Sequence, residues 1–182
     1  MSYMMTKKPG GYENLLVYQQ AVVISDLTVV FCERFLGEFK YRRTVEQMVQ
    51  AARSGKQNIV EGSLEKSMEG NIKLTGIARA SYGELLEDYK DFLRQRGLAL
   101  WSKDDSRVLK IRSYKTYMSH KPYTSYLQNP EDFANLMVTL CFTEGYLLDR
   151  LLYAQEQKFI KEGGFRENLF RKRQEFRRKG LS

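Results

Sequence analysis

The chain holds one histidine, His120, and two cysteines, Cys32 and Cys141, among 182 residues. Those counts remove most side-chain chemistry at the outset. A Ser–His–acid relay and a Cys–His pair would both need His120, and neither a serine elbow nor a reactive-cysteine signature accompanies it. A di-iron site between helices needs Glu-x-x-His on two of them, which one histidine cannot supply. Two cysteines make neither a disulfide framework nor a zinc ribbon; they read as small core residues. The sequence has no Gly-x-x-x-x-Gly-Lys-Ser/Thr and no Gly-x-Gly-x-x-Gly. No catalytic residue, metal or cofactor is expected.

Acids and bases remain. Asn58, Glu61 and Glu84 fall where helices should meet, with Arg53 and Arg79 as candidate partners. An acid pair there could do general acid–base work if one pKa were raised. The structural reading is a satisfied polar network of Asn58, Glu61, Arg79 and Glu84 that fixes helix register, because a buried acid without a partner is costly. The larger signal is charge. Thirty Lys/Arg against 22 Asp/Glu give +8. Residues 158–182 hold nine of the cations and three acids, a net of +6, and leave +2 for the rest. Such asymmetry points to an anionic partner. Arg166, Arg171, Lys172, Arg173, Arg177, Arg178 and Lys179 are the candidate nucleic-acid contacts.

The elements that position these groups read as helices. Residues 1–13 form a flexible lead broken by Gly10-Gly11. Inward positions at Val17, Ala21, Ile24, Thr28, Phe31 and Phe35 recur every three or four residues, which predicts a first helix from Leu15 to Leu36. A second apolar line, Leu16, Val23, Leu27 and Val30, runs beside the first. It predicts burial on two sides, the second by another surface such as another subunit. The longest unbroken apolar runs here are four residues, short of the ~20 that span a bilayer. A cytoplasmic protein with no membrane segment is expected. A second helix runs from about Tyr41 to Glu61 with Gly62 as its stop. A third starts near Ser67–Asn71 and reaches Arg96, stopped by Gly97; Gly76, Ala80 and Gly83 on it allow close helix approach. Residues 98–130 are an irregular, aromatic-rich connection with Trp101, Tyr114, Tyr117, Tyr123 and Tyr126, a short helix within Asp104–Tyr117, and packing onto the body. Asn129-Pro130-Glu131-Asp132 is a helix start. The fourth long helix runs from there to Gly163-Gly164. Phe165–Lys179 is a short basic helix with Phe165, Leu169, Phe170 and Phe176 as docking points. The prediction is all-α: an antiparallel up-down four-helix bundle over 14–160 and a basic C-terminal suffix over 161–182.

Two motifs carry a family resemblance. Asn58-Ile59-Val60-Glu61-Gly62 ends the second helix, and Ala78-Arg79-Ala80-Ser81-Tyr82-Gly83-Glu84-Leu85 lies in the third. They resemble the Asn-Ile-Ala-Glu-Gly and Ala-x-x-Ser-x-x-Glu-Leu hallmarks of a four-helix-bundle family. That family includes proteins encoded in intervening sequences of bacterial 23S ribosomal RNA genes and the accessory variability proteins of diversity-generating retroelements. Gly163-Gly164-Phe165-Arg166-Glu167 resembles the suffix that one branch carries. The resemblance implies a non-enzymatic bundle forming a ring-like homo-oligomer, typically a pentamer. In the retroelement branch it implies association with a reverse transcriptase and with nucleic acid, RNA or DNA. Many members place arginines directly before the Ala-Ala ahead of the first motif; here Arg53 and Lys56 come after it, as candidate contacts on the second helix.

Two readings follow. In one, the chain is an oligomeric adaptor whose basic suffix binds nucleic acid by counterion release. In the other it is a protein-binding scaffold with no nucleic-acid role. The suffix then folds over its own or a neighbour's body, pairing its arginines with acids such as Glu84, Glu87 or Asp88.

Overall fold

In a computed structural model that describes residues 11–114 and 119–180, the chain is all-helical, with no strand among those residues. Six α-helices follow in order: α1 (Leu16–Phe35), α2 (Arg42–Leu64), α3 (Met68–Gln95), α4 (Ser106–Ser113), α5 (Pro130–Glu162) and α6 (Phe165–Lys179). Three short 3-10 turns lie between them, at Tyr12–Asn14, Phe39–Tyr41 and Lys121–Tyr126. Local chemistry explains the ends. The Ser67 side chain accepts from Gly70 N–H at the start of α3, and Asp105 accepts from Arg107 N–H at the start of α4. Asn129 accepts from both Glu131 and Asp132 N–H ahead of Pro130. Each such cap satisfies an amide that the helix itself leaves unpaired. Gly97 and Gly163, at φ +63° and +76°, take the left-handed conformation past the ends of α3 and α5, which glycine enters without Cβ strain.

The four long helices close a cycle of neighbours: α1 packs on α2 and α5, and α3 packs on the same two. Phe31 sits inside the cycle with edge-on ring contacts to Tyr89, Phe92 and Phe133 at 4.7–5.3 Å. Both apolar lines of α1 are used within the protomer. Val23 and Leu27, on the line expected to meet another surface, are each 1% exposed, and only Leu16 and Val29 stay open. α1 is long and apolar enough to cross a membrane by length and composition, yet half of that stretch is buried against its own chain.

The remaining differences from the expected layout have local causes. The lead is not free where it is described: Tyr12–Asn14 form a turn, the Tyr12 ring meets Tyr18 at 4.9 Å, and Gln19 Nε2 donates to the Glu13 carbonyl. Residues 1–10 lie outside the described part. Gly62 does not stop α2; it stays helical and buried, and a Cβ there would meet Leu74 and Asn71 of α3. The close approaches occur at glycines other than Gly76 and Gly83, which face open space or only Arg79. They occur at Gly55 on α2, against the Tyr82 ring, and at Gly145 on α5, against the Arg79 guanidinium. The 98–130 connection packs as expected. Trp101, Tyr123 and Tyr126 are buried, and Arg107 lies 3.7 Å over the Trp101 ring. The buried amide of Asn135 accepts from Trp101 N–H and donates to the Ala99 carbonyl, tying the connection to α5. Tyr117 lies outside the described residues.

Gly55 yields a stability prediction. A methyl group there would stand about 2.5 Å from the ring of Tyr82, which is itself 1% exposed and cannot move aside. Overpacking of this kind costs about 1–3 kcal/mol, more than the roughly 1 kcal/mol of helix propensity that alanine gains over glycine. Gly55→Ala is expected to lower the melting temperature, and the double variant Gly55→Ala/Tyr82→Leu to lose less than the two single losses added. A Gly55→Ala protein as stable as the parent overturns the packing argument.

Candidate nucleic-acid interface

The basic suffix is a helix on a braced elbow. α5 ends at Gly163, and Gly164 is packed so closely against Glu69 and Phe159 that a Cβ would collide with the Glu69 carboxylate. Gly164 N–H donates to the Glu167 carboxylate at 2.9 Å, and the Asn168 side chain donates to the Gly163 carbonyl. Arg171 donates to the Glu162 carbonyl and to Asn168 Oδ1. Four side-chain bonds thus cross or brace the bend between α5 and α6. The acid Glu167 stands at the positive end of α6, and Arg177, Arg178 and Lys179 stand at its negative end, which favours both.

Beyond the elbow α6 meets little of the body. Its expected docking points stay open: Phe165, Leu169, Phe170 and Phe176 are 40–77% exposed. Arg166, Lys172, Arg173, Arg177 and Arg178 enter no ion pair among the described residues. The acids expected to hold them do not: Glu87 pairs with Lys90, and Glu84 and Asp88 line a groove between α2 and α3.

That groove, about 1030 Å³, also contains Arg53. Its charges are mixed, with Arg43 and Arg53 facing Glu46, Glu84 and Asp88. It is no continuous track for phosphates, and Lys56 is not among its lining residues. Arg53 is exposed on α2, and Lys56 is half-buried there.

The expected polar network does not form. Asn58 donates to the Ser54 carbonyl and hydroxyl of its own helix, and Glu61 and Glu84 are exposed. Arg79 crosses Gly145 to pair with Asp149 at 2.8 Å. Between α2 and α3 the polar link is instead made by Ser81 and Ser54, hydroxyl to hydroxyl at 3.0 Å. Helix geometry is the reason: Asn58 reaches back one turn to a carbonyl before it can reach a neighbouring helix.

Among the described residues the acid that is buried is Glu144 on α5. It is 0% exposed, and neither carboxylate oxygen has a hydrogen-bond partner among the described residues. The Tyr82 hydroxyl of α3 is also buried without one. Burial pushes the Glu144 carboxyl well above the usual carboxylate range, and burial followed by the nearby Glu144 pushes the Tyr82 phenol upward. Cys141, one turn away, is raised by burial and then by Glu144, so it is an inert core thiol. In the α2–α3 groove Asp88 is pushed up to about 6 by burial, then by Asp91 and Glu84. Glu144 was readable in the sequence: it follows Cys141 by three residues and precedes Leu148 by four, on the inward line of α5.

Comparison with protein-family models, curated proteins and solved structures returns no match for this chain.

Glu144 and Asp88 predict a pH dependence. Each binds its proton more tightly folded than unfolded, so the folded state holds protons that the unfolded chain releases. The stability they contribute is full below the ordinary carboxylate range and falls as pH rises. For Asp88 the loss runs from 3.8 to about 6, and for Glu144 it starts at 4.5 and continues beyond. Glu144→Gln is expected to match the parent at pH 4 and to melt higher at pH 7.5, with a shallower decline between. A variant whose melting temperature falls with pH as steeply as the parent's removes Glu144 as the cause.

Proposed function

We propose that this protein is a non-enzymatic, homo-oligomeric adaptor that associates with single-stranded nucleic acid through its C-terminal helix. The observation that carries this reading is the state of α6. Five of its cations have no ion-pair partner among the described residues, and aromatic rings stand exposed among them. Cations that neutralise phosphates gain affinity by releasing counterions, and exposed rings stack on bases. A suffix paired with its own body's acids would have favoured the scaffold reading, and these cations are not so paired.

The cycle of α1, α2, α3 and α5 supports an antiparallel up-down four-helix bundle as the body. With the Asn58–Gly62 and Ala78–Leu85 motifs, it supports membership of the bundle family of intervening-sequence and retroelement accessory proteins. That membership brings a ring-like assembly, a pentamer by family pattern, a reverse transcriptase as the protein partner and a cytoplasmic setting. On this chain, self-association is supported by the outer face of α5. Phe142, Tyr146, Tyr153 and Ile160 lie exposed at helical spacing along it, a row longer than scattered surface residues make. Several arms on one ring would multiply weak phosphate contacts through effective concentration.

Two measurements test the reading. In the first, binding of a labelled single-stranded RNA is followed against salt for the full chain and for Lys172→Gln/Arg173→Gln/Arg177→Gln/Arg178→Gln. The parent is expected to lose affinity steeply with salt. The variant is expected to bind at least ten times more weakly at low salt. Its log–log slope is expected to be shallower by roughly 3, about 0.7 for each phosphate of a single strand that is no longer neutralised. Equal affinities for the two proteins overturn the reading. In the second, light scattering is expected to give a mass several times 21.4 kDa, and Tyr146→Glu/Tyr153→Glu is expected to shift it toward the protomer. A parent of protomer mass overturns the assembly.

A further inference from the structure

At the end of the body where α5 runs on into α6, Tyr12, Asn71, Thr75, Gln155 and Lys158 line a recess of about 460 Å³. That lies within the ~300–1,000 Å³ of small-ligand sites. Its polar groups are neutral amides and hydroxyls, it contains no carboxylate, and its one charge is Lys158. Side chains such as Leu151 and Met68 supply apolar walls.

Gln155 is the group that has no local explanation. Its side chain is 9% exposed, and Nε2 donates to Asn71 Oδ1 at 2.7 Å and to Thr75 Oγ1 at 3.1 Å. Those two bonds orient the amide and leave Oε1 buried without a partner among the described residues. A buried carbonyl in that state has lost its water without recovering a hydrogen bond. Buried polar groups are generally paired, so the exception calls for a donor. Asn71 uses its carbonyl oxygen as an acceptor here, so its NH₂ is the part left to donate. The recess wall therefore holds Gln155, whose buried Oε1 has no partner among the described residues, beside the Asn71 NH₂, the Tyr12 ring and apolar side chains. The matching ligand is uncharged and bears both a donor and an acceptor.

The location narrows the class. Met68 and Asn71 belong to the first turn of α3, and Glu69 of that turn is the residue against which Gly164 packs. The recess and the root of the cationic helix thus share one end of the molecule. We infer that the recess takes an unpaired nucleobase from a strand whose phosphates lie along α6, an inference that rests on the nucleic-acid reading above. Amide side chains meet the paired donor and acceptor of a base edge, and single strands are read through splayed bases held on aromatic rings. Lys158, on the rim, stands where the phosphate of that nucleotide would leave the recess.

The test compares two labelled strands of equal length, oligo-adenylate and an abasic phosphodiester, by fluorescence anisotropy at fixed salt. Four full-length proteins are used: the parent, the quadruple α6 variant above, Gln155→Leu and the recess-filling Ala154→Phe, with melting curves to verify folding. The parent is expected to bind oligo-adenylate roughly tenfold more tightly than the abasic strand, as one stacked base provides. Gln155→Leu and Ala154→Phe are expected to cut that ratio to about one while leaving abasic binding unchanged. The α6 variant is expected to weaken both strands and keep the ratio. A ratio near one in the parent, or one that survives both recess variants, overturns the inference and leaves the α6 reading standing. Failure of the parent to bind either strand overturns both.

Discussion

Tyr82 fills the space that a side chain on residue 55 would need, and the body is arranged around that exclusion. Gly55 lets α2 come against the ring of α3. The ring in turn carries its hydroxyl into the interior that α5 closes with Glu144. A second close approach, Arg79 over Gly145, brings α3 onto α5, and the guanidinium reaches Asp149 past the bare backbone. Both contacts need a missing Cβ opposite a large side chain, so a change on either partner is felt on two helices. Interiors packed to crystal-like density respond in that way.

The chain treats its charges in two opposed ways. Inside, Glu144 has been stripped of water with no hydrogen-bond partner beside it, and it stays compatible with the fold by keeping its proton. Outside, α6 concentrates cations and leaves most of them out of any ion pair among the described residues. A buried acid that stays neutral makes no demand on surface cations, and Glu84 and Asp88 sit in a groove that brings its own arginines. The suffix is left with uncompensated positive charge and an elbow that fixes where it points.

Much of the helical layout is legible because its punctuation is chemical. Asn129-Pro130, Gly97 and Gly163 mark ends through capping and left-handed backbone, and α6 begins and ends where the charge run and Gly164 place it. Gly62 misleads because a glycine stops a helix only when the backbone turns left-handed; here it stays helical so that Asn71 and Leu74 can approach. The polar network fails for a similar reason. Asn58 and Glu84 stand near the right helices, but rotation about the helix axis by a fraction of a turn decides whether a side chain meets a neighbour or water. Glu144 and Gln155 are within reach of the same pattern, since each continues the inward line of α5, at four residues from Leu148 and Leu151. Their polarity disguises them as surface residues, although polarity on an inward line is what singles out a residue with another task.

The elbow decides whether such an arm can act as part of an assembly. A suffix on a free linker would sample a wide volume, and its effective concentration near a bound strand would fall with linker length. Here the bend is two residues long, crossed by bonds from Gly164, Asn168 and Arg171, and seated on Glu69. Each protomer of a ring would therefore present α6 at one angle and at one end, with its amide-lined recess at the helix root. The entropy of ordering the arm is already given up when the protomer folds, so a strand engaging several arms would not have to immobilise them one by one. On the proposed reading, that preorganisation is a functional reason for a cationic helix to be braced so closely at its base while the rest of its length stays open to solvent.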